Sequence, residues 1–381
     1  MKSIYKSIGE LVERIDQRNT DGTVTNLIGV SIDKKFINSV ANVIGTDLTK
    51  YKVIEKYDFA VSLMQVSRDE KIPVACQKEY DKAIMSPAYP IFRVKDTSIV
   101  LPEYLEMWFM RPEFDREASF IAVGGVRGSM PWEDFANMKL PVPSIEEQRE
   151  IVNSYKTLTD RIALKKQIND NLEATLEAVF VNLYQQLDND SDVAFSELCV
   201  LASSKRVFAE DYVVEGVPFY RGKEITQKRN GEIISDPLYI SQEHFQSLKT
   251  NYGIPTCGDI LITAVGTIGN SYLVQNEEFY FKDGNIIWLK DFSKQGVNYY
   301  IYDYMQTSIF KRELEGICIG STQTALTIVA LSNLKIKLPS VDELKAYCSH
   351  SKTIRQTIQN NNAEIERLSQ VAQSMLASLS R

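Results

Sequence analysis

The chain has 381 residues, of which 44% are hydrophobic and 24% are charged, which indicates a globular protein with two or three cores. No apolar run approaches the length of a membrane-spanning helix, and the N-terminal segment 1–16 lacks the continuous apolar stretch of a secretory signal. The formal net charge of −7 argues against a protein that coats nucleic acid by charge alone, but it leaves room for local basic patches.

The five cysteines are scattered, odd in number and without any CxxC spacing; they are Cys76, Cys199, Cys257, Cys318 and Cys348. This usage predicts free thiols in a reducing compartment rather than disulfides or a zinc site. We therefore expect a cytoplasmic protein that binds no metal.

The clearest pattern in the sequence is a repeat at an offset of 196 residues. The segment NMKLPVPSIEE at 137–147 aligns without a gap with NLKIKLPSVDE at 333–343, and Ser144 and Ser340 within it can cap a helix of about 60 Å. The same offset matches further identical residues, which are Tyr104 and Tyr300, Phe114 and Phe310, Arg116 and Arg312, Glu117 and Glu313, and Gly124 and Gly320. So long a period indicates a duplicated domain rather than a solenoid unit.

Each copy is predicted to form a globular module of mixed helix and strand. Short β-rich runs broken by Gly and Pro, such as AIMSPAYPIFRV and FYFKDGNIIWLK, precede a helix-like stretch in both copies. We predict an α+β fold with modules at 1–143 and 191–339, followed by long helices at 144–190 and 340–381.

Both long helices carry an apolar seam with alternating spacings of three and four residues. In the first helix the seam meets Lys165 and is predicted to resume in a shifted frame that includes Ile168 and Val179. The residues predicted to pair are Ile151, Tyr155, Leu158, Ile162, Leu172, Leu176 and Leu183 of the first helix and Leu344, Ile354, Ile358, Ile365, Leu368, Met375 and Leu379 of the second.

We favour an antiparallel coiled coil of these two helices, which would hold the modules at opposite ends; the alternative is that each helix packs on its own module. Asn361, Ser351 and Lys165 within the seam are expected to specify its register.

Motifs of catalysis are missing from the sequence. The two histidines, His244 and His350, stand in different contexts, and no Ser/His/Asp, Cys/His or metal-binding constellation can be assembled. The sequence contains neither a GxxxxGK[ST] nor a GxGxxG phosphate loop, and it lacks the Asn-Pro-Pro-aromatic signature of amino-methyltransferases. We therefore predict that the chain is not an enzyme.

The two motifs and the helix after each resemble the specificity subunit of type I restriction–modification enzymes. LPVPSIEEQREIV at 140–152 is close to the family pattern, whereas the second copy has Leu344 where the first has Gln148. GSTQTALT at 320–327 is also similar to the family, although its first-copy counterpart has Arg127 where Gln323 stands.

The resemblance implies that each module is a target recognition domain for one half of a bipartite sequence in double-stranded DNA. It implies that the paired helices set the spacing and dock two methyltransferase subunits, with motor–nuclease subunits as further partners. S-adenosylmethionine, ATP and Mg would belong to those partners, with no cofactor in this chain. Two other hypotheses stay open, a duplicated scaffold that binds polypeptides and an enzyme with an unrecognised site.

Base reading and phosphate binding require polar and basic side chains on accessible segments. Candidates in the first module are Lys34, Lys35, Arg68, Arg127 and Ser129. For Arg68 the alternative is a surface ion pair with Asp69 or Glu70. Candidates in the second module are Lys205, Arg206, Arg221, Lys223, Lys228, Arg229, Thr267, Ser321, Gln323 and Thr324. For the segment 220–231, which also holds Thr226 and Gln227, the alternative is a solvated turn.

Overall fold

The computed structural model describes residues 4–39, 46–125, 128–188, 191–232, 234, 236–318 and 324–380. The chain divides into two compact units, of which the first contains residues 1–163 and 367–381 and the second contains residues 164–366. Each unit therefore combines one module with parts of both long helices.

Among the described residues, the first unit begins with ten strands and five short α-helices. The strands are β1 Ile4–Ser7, β2 Val12–Ile15, β3 Ile28–Val30, β4 Phe36–Asn38, β5 Lys52–Glu55, β6 Phe59–Val61, β7 Val74–Cys76, β8 Lys82–Met85, β9 Ile91–Val94 and β10 Lys139–Val142. The helices are α1 Ile8–Leu11, α2 Val66–Asp69, α3 Pro102–Phe109, α4 Pro112–Ile121 and α5 Trp132–Asn137. The long helix α6, Ile145–Gln185, follows and contributes residues to both units.

The second unit has a similar inventory. Its strands are β11 Asp192–Ala194, β12 Val200–Ala202, β13 Tyr212–Val213, β14 Val217–Tyr220, β15 Leu238–Ile240, β16 Ile260–Thr263, β17 Ser271–Leu273, β18 Tyr280–Phe281, β19 Ile286–Lys290 and β20 Lys335–Lys337. Its helices are α7 Phe195–Leu198, α8 Gly222–Arg229, α9 Gln242–Tyr252, α10 Val297–Gln306, α11 Ser308–Ile317 and α12 Ile328–Asn333. The second long helix, α13 Val341–Ser378, again belongs to both units.

Both units contain a four-stranded antiparallel sheet with the same strand order. The order is β2-β9-β6-β7 in the first unit and β12-β19-β16-β17 in the second. All residues of the internal strands β6 and β16 are buried, which explains their continuous apolar runs in the sequence. The predicted α+β fold with two repeated modules is confirmed.

A two-stranded pair carries the repeated motif in each unit, β1 with β10 and β11 with β20. The Tyr104 hydroxyl donates to the carbonyl of Pro141 at 3.1 Å, and the Tyr300 hydroxyl donates to the carbonyl of Lys337 at 2.9 Å. The offset of 196 residues relates Tyr104 to Tyr300 and Pro141 to Lys337, so the duplication preserves this contact. Burial raises the pKa of Tyr104 to about 12, which keeps its hydroxyl protonated as a donor.

The two units differ in what connects the shared strands. The first unit has the hairpin β3–β4 and the pair β5–β8, whereas the second has a further sheet of order β13-β15-β14-β18 and the helices α8 and α9. The divergence of the two copies therefore reflects different secondary structure as well as different side chains.

Serine residues begin both long helices as predicted. The Glu147 and Glu343 carboxylates accept hydrogen bonds from the backbone N–H groups of Ser144 and Ser340, at 3.0 and 3.1 Å. Each carboxylate also sits at the positive end of its helix dipole. At 1.5 Å per residue, α6 and α13 are each about 60 Å long.

Candidate nucleic-acid interface and helix pair

The basic segment 220–231 is helical in the structure, where the sequence suggested an accessible loop or turn. Gly222–Arg229 forms α8, which packs on β16 and β17. The carboxylate of Glu224 accepts from the backbone N–H of Arg221 at 2.8 Å and closes the first turn. The regular structure of α8 follows from this cap, because Glu224 satisfies a donor that a helix start otherwise leaves free.

Two of the basic candidates, Arg221 before α8 and Lys228 within it, are neutralised by carboxylates. Arg221 pairs with the buried Glu224 at 2.6 Å, and hydrogen bonding to that carboxylate raises the pKa of Arg221. Lys228 pairs with Glu277 at 2.7 Å and lies over the rings of Tyr220 and Tyr272. Both cations are thus occupied within the second unit.

Arg229 has a different environment. Its Nη1 donates to Oδ1 of Asn270 at 2.6 Å, while Nε and Nη2 donate to Oε1 of Gln306 at 3.3 and 3.0 Å. The Thr226 hydroxyl lies beside this group and is 3.1 Å from the hydroxyl of Thr267. Arg229, Thr226, Thr267 and Asn270 form a connected polar group, here called the α8 cluster.

The remaining basic candidates of the second unit lie on the surface. Lys223 is exposed, as is Lys205, whose ammonium lies over the Tyr252 ring. Arg206 pairs with Asp283 at 2.8 Å while its side chain stays 65% exposed. Sequence reasoning could not pair Arg206 with Asp283, because their contact depends on the folded sheet.

The structure brings together candidate segments that are distant in the sequence. In the second unit, the backbone N–H of Leu326 donates to the carbonyl of Ala264 at 2.9 Å, at the end of β16. This bond brings the segment that contains the exposed Thr324 next to the turn that contains Thr267. Candidates Ser321 and Gln323 lie outside the described residues.

The first unit repeats this arrangement. The backbone N–H of Met130 donates to the carbonyl of Leu63 at 2.9 Å, and Gly128 lies against Ser67 and the backbone N of Arg68. Ser129 therefore lies in a segment that packs beside Arg68. Arg127 lies outside the described residues. Arg68 itself pairs with Asp69 at 3.1 Å, as the alternative interpretation expected, although its side chain is 65% exposed.

Lys34 is held inside the first unit rather than on its surface. Its ammonium pairs with Asp115 at 2.7 Å and donates to the carbonyl of Phe109, and only 7% of the side chain is exposed. Burial lowers the pKa of Lys34, while Asp115 opposes that shift. In this conformation the charge of Lys34 is already compensated, whereas the neighbouring Lys35 is exposed.

The helices α6 and α13 pack together within each unit, as predicted. All the residues predicted to pair, in the first and in the second long helix, are buried or half-buried. The predicted seam positions Ile168 and Val179 are wrong, because these side chains are 39% and 51% exposed. The buried seam continues instead through Asn169, which keeps the alternating spacing past Lys165, and it shifts by one residue only at Phe180.

A polar layer interrupts this seam in the second unit. Asn361 donates through Nδ2 to Oδ1 of Asn169 at 2.8 Å, and Nδ2 of Asn169 donates to Oδ1 of Asn362 at 2.8 Å. The Lys165 ammonium donates to Oδ1 of Asn361 at 2.9 Å and pairs with Glu364 at 2.8 Å. Asn361 and Lys165 thus have the position expected of register-setting residues, joined by Asn169, which the sequence analysis missed.

Both long helices also pack on the modules. In the second unit, Phe180 and Tyr184 of α6 and Tyr347 of α13 contact Tyr300 and Tyr304 of α10, with ring centroids 4.9–6.1 Å apart. Helix pairing and packing on a module, which the sequence analysis treated as alternatives, occur together.

The described residues contain no cluster of potential metal ligands. No group of three or more His, Cys, Asp or Glu side chains in that part of the chain is arranged to hold a metal ion. His244 lies in the first turn of α9, where its backbone N–H donates to the hydroxyl of Ser241 at 3.1 Å. Among the same residues, we find no helix with the length and apolar character that a membrane span requires.

Comparison with known proteins defines the class to which this duplicated fold belongs. A family described as the type I restriction modification DNA specificity domain matches residues 18–174 and 191–370, one match for each module. Because these matches cover most of the chain, the protein belongs to the type I restriction modification DNA specificity family.

Individual relatives are distant. The chain is similar to the putative type I restriction enzyme specificity subunit S.HindORF215P of Haemophilus influenzae, with 28% identity over 237 residues that cover 58% of this chain and 56% of the relative. It is 23% identical over 274 residues to the MjaVIII specificity subunit of Methanocaldococcus jannaschii, covering 64% of this chain and 61% of that protein. The chain thus spans little more than half the length of these two relatives.

Among solved structures, the S subunit of a type I restriction-modification system from M. genitalium has a TM-score of 0.59 at 14% identity, over 99% of this chain and 96% of that chain. At this identity the likeness shows the fold alone.

Proposed function

We propose that this chain is the DNA-recognition subunit of a type I restriction–modification complex, in which each module reads one half of a bipartite target. The observation that carries the proposal is the contrast within the duplication. Each unit has a sheet of the same strand order, a framing strand pair and an equivalent tyrosine hydrogen bond, but the units differ in the elements that connect these strands. Two half-sites of different sequence require two scaffolds of one kind with different reading surfaces.

We assign the reading surfaces to the modules at 1–143 and 191–339. In both units the candidate segments meet at equivalent places, where the N–H of Met130 or Leu326 bonds to the strand end at Leu63 or Ala264. Clustering of exposed polar side chains from separate segments supports this assignment. The exposed Lys35, Lys205 and Lys223 suit phosphate contacts, since these need charge without a fixed geometry.

The helices α6 and α13 would set the distance between the half-sites. Their buried seam and the polar layer at Asn169 and Asn361 support this role, because a buried polar layer penalises pairing in another register. The helix pair would also dock two methyltransferase subunits, and motor–nuclease subunits would join that complex.

The chain itself would perform no chemistry. S-adenosylmethionine, ATP and Mg would bind to the partner subunits. Because its net charge is −7, the isolated chain should bind DNA weakly, and partners should supply much of the positive charge.

The proposal is tested by expressing the chain with and without its cognate methyltransferase in a host that lacks other methylation. Single-molecule sequencing should find a bipartite methylated motif only when both are present. Binding of the complex to DNA should weaken steeply with salt, since phosphate contacts release counterions. Methylation by the chain alone would contradict the proposal, and methylation without a bipartite motif would favour a scaffold that binds polypeptides.

A further inference from the structure

Arg229 differs from the other basic residues in and next to α8 in what holds it. Arg221 and Lys228 each pair with a carboxylate, and Lys223 is exposed. Arg229 is fixed by the side-chain amides of Asn270 and Gln306, and no carboxylate of the described residues forms an ion pair with it. Amides are neutral, so Arg229 keeps its full positive charge while its orientation is set.

The orientation of the Gln306 amide is itself determined. Its Nε2 donates to the carbonyl of Tyr302 at 3.1 Å and to the hydroxyl of Ser271 at 2.8 Å. A backbone carbonyl can only accept, so Nε2 must face Tyr302 and Oε1 must face Arg229. The buried Ser271 belongs to β17, and Gln306 ends α10, so the guanidinium is supported by two regular elements of the second unit.

Three N–H groups of Arg229 are used in these contacts. A guanidinium has five N–H donors, one on Nε and two on each terminal nitrogen. Within the described residues, one N–H on Nη1 and one on Nη2 are therefore left for an external acceptor. Two donors from one planar guanidinium match the O6 and N7 acceptors of guanine in the major groove.

Hydroxyl groups adjoin this guanidinium on the same cluster. Nδ2 of Asn270 donates to the Thr226 hydroxyl at 3.0 Å, and Thr226 contacts the exposed Thr267. The α8 cluster thus combines an oriented cation with hydroxyls that can donate or accept, on residues 41 apart in the chain. Base reading needs side chains held in place by supporting hydrogen bonds, which exposed lysines lack.

We propose that Arg229, positioned by Asn270 and Gln306, reads a guanine in the half-site of the second module, an inference that rests on the proposed function. Thr226 and Thr267 adjoin the same base pair or its neighbour. Arg221 and Lys228 stabilise the second unit and do not read bases, and Lys223 contacts phosphate.

The first test is Arg229→Lys in the complex with the cognate methyltransferase, read by single-molecule sequencing of methylated genomic DNA. Lysine keeps the charge but loses the planar pair of donors. Discrimination at one position of one half-site should fall about 5- to 150-fold, since a bidentate contact is worth about 1–3 kcal/mol and 1.4 kcal/mol is tenfold. The other half-site should be unchanged.

Asn270→Asp is the second test, and it leaves Arg229 in place. The aspartate keeps an oxygen for the Arg229 contact but adds a negative charge, so the guanidinium becomes neutralised like Arg221. Base discrimination at the same position of the motif should fall. The melting temperature should stay within about 2–4 °C of wild type, which corresponds to a stability change of roughly 1 kcal/mol. The matched control Lys223→Gln should weaken methylation of all sites alike and lower the salt slope by about one.

An unchanged motif in Arg229→Lys or in a folded Asn270→Asp variant would overturn the assignment and leave Arg229 a structural residue. Equal loss at all sequences in Arg229→Lys would likewise overturn it in favour of a phosphate contact. A wild-type complex with no bipartite motif would refute the proposed function itself, whichever result the variants gave.

Discussion

Arg355 on α13 donates two hydrogen bonds to one carboxylate oxygen of Asp303 on α10, from Nε at 3.0 Å and from Nη2 at 2.6 Å. The other oxygen accepts from the hydroxyl of Tyr347 at 2.8 Å and from the hydroxyl of Ser351. Arg355 also pairs with Glu173 of α6. This buried network joins the second module to both long helices, and it explains why Ser351 binds the module instead of setting the register of the helix pair.

The first copy has an apolar residue and a threonine at the equivalent positions. The offset of 196 residues relates Asp303 to Met107 and Arg355 to Thr159, and Met107 is buried in the core of the first unit. We predict that Asp303→Met alone destabilises the chain by about 3–5 kcal/mol, because it leaves the guanidinium of Arg355 buried without its main partner.

The double variant Asp303→Met/Arg355→Thr reproduces the first-copy pair and should recover much of that loss. Chemical denaturation of the two single variants and the double variant measures the coupling. Additive losses would show that the two residues do not act as a pair.

Gln148 marks a second difference between the copies. Its amide accepts from the N–H of Leu101 at 2.9 Å and donates to the carbonyls of Ile99 and Pro143 at 2.8 and 3.0 Å. Gln148→Leu should cost about 1–3 kcal/mol, because buried backbone groups lose their partners. The control Leu344→Met at the equivalent, apolar position should cost less than about 1.5 kcal/mol. Equal stability of wild type and Gln148→Leu in denaturant titration would contradict this explanation.

The polar layer of the helix pair gives a third prediction. Asn361→Leu removes the oxygen that accepts from the Lys165 ammonium and the N–H group that donates to Oδ1 of Asn169. Because these buried groups lose their partners, the free energy of unfolding should fall by about 1–3 kcal/mol. Asn360→Leu, on the exposed face of the same helix, is the matched control and should change stability by less than about 0.5 kcal/mol. If thermal melting shows equal shifts for both variants, the layer does not stabilise the observed register.

Periodicity predicted the long helices and most of their seam because an apolar stripe is a local property of the sequence. It failed where polar or aromatic residues enter the seam: Asn169 and Phe180 are buried, whereas the apolar Ile168 and Val179 are exposed. An amide with a partner on the facing helix is stable in a core, and no count of apolar residues reveals that partner.

The candidate contacts show the same limit. Residue type alone selected Arg221, Lys228 and Arg229 equally, yet the fold neutralises two of them and leaves the third charged. Glu277 lies 49 residues from Lys228 in the chain, so their pairing depends on tertiary structure. The framing motifs, in contrast, were visible because the duplication kept them at a constant offset.

Helix length should determine the spacing between half-sites. Inserting one heptad into each helix at the Lys165–Glu364 contact keeps the seam in register and adds about 10 Å at 1.5 Å per residue. At about 3.4 Å per base pair, the methylated motif should gain close to three non-specific pairs, with both half-sites unchanged. Three pairs also rotate one half-site by about 100°, so activity should drop.

A one-residue insertion at the same contact is the control, since it breaks the seam and should destabilise the chain. An active heptad variant with unchanged spacing would mean that these helices do not set the distance.

The central claim, that each module reads its own half-site, is tested most directly by exchanging one module. Residues 191–339 would be replaced by the corresponding module of another family member whose motif has been measured, and the methylated motif of the complex would be read by single-molecule sequencing. The account predicts that one half-site changes to that of the donor while the other half-site stays as in the wild type. An active chimera whose motif is unchanged, or changed in both halves, would contradict it.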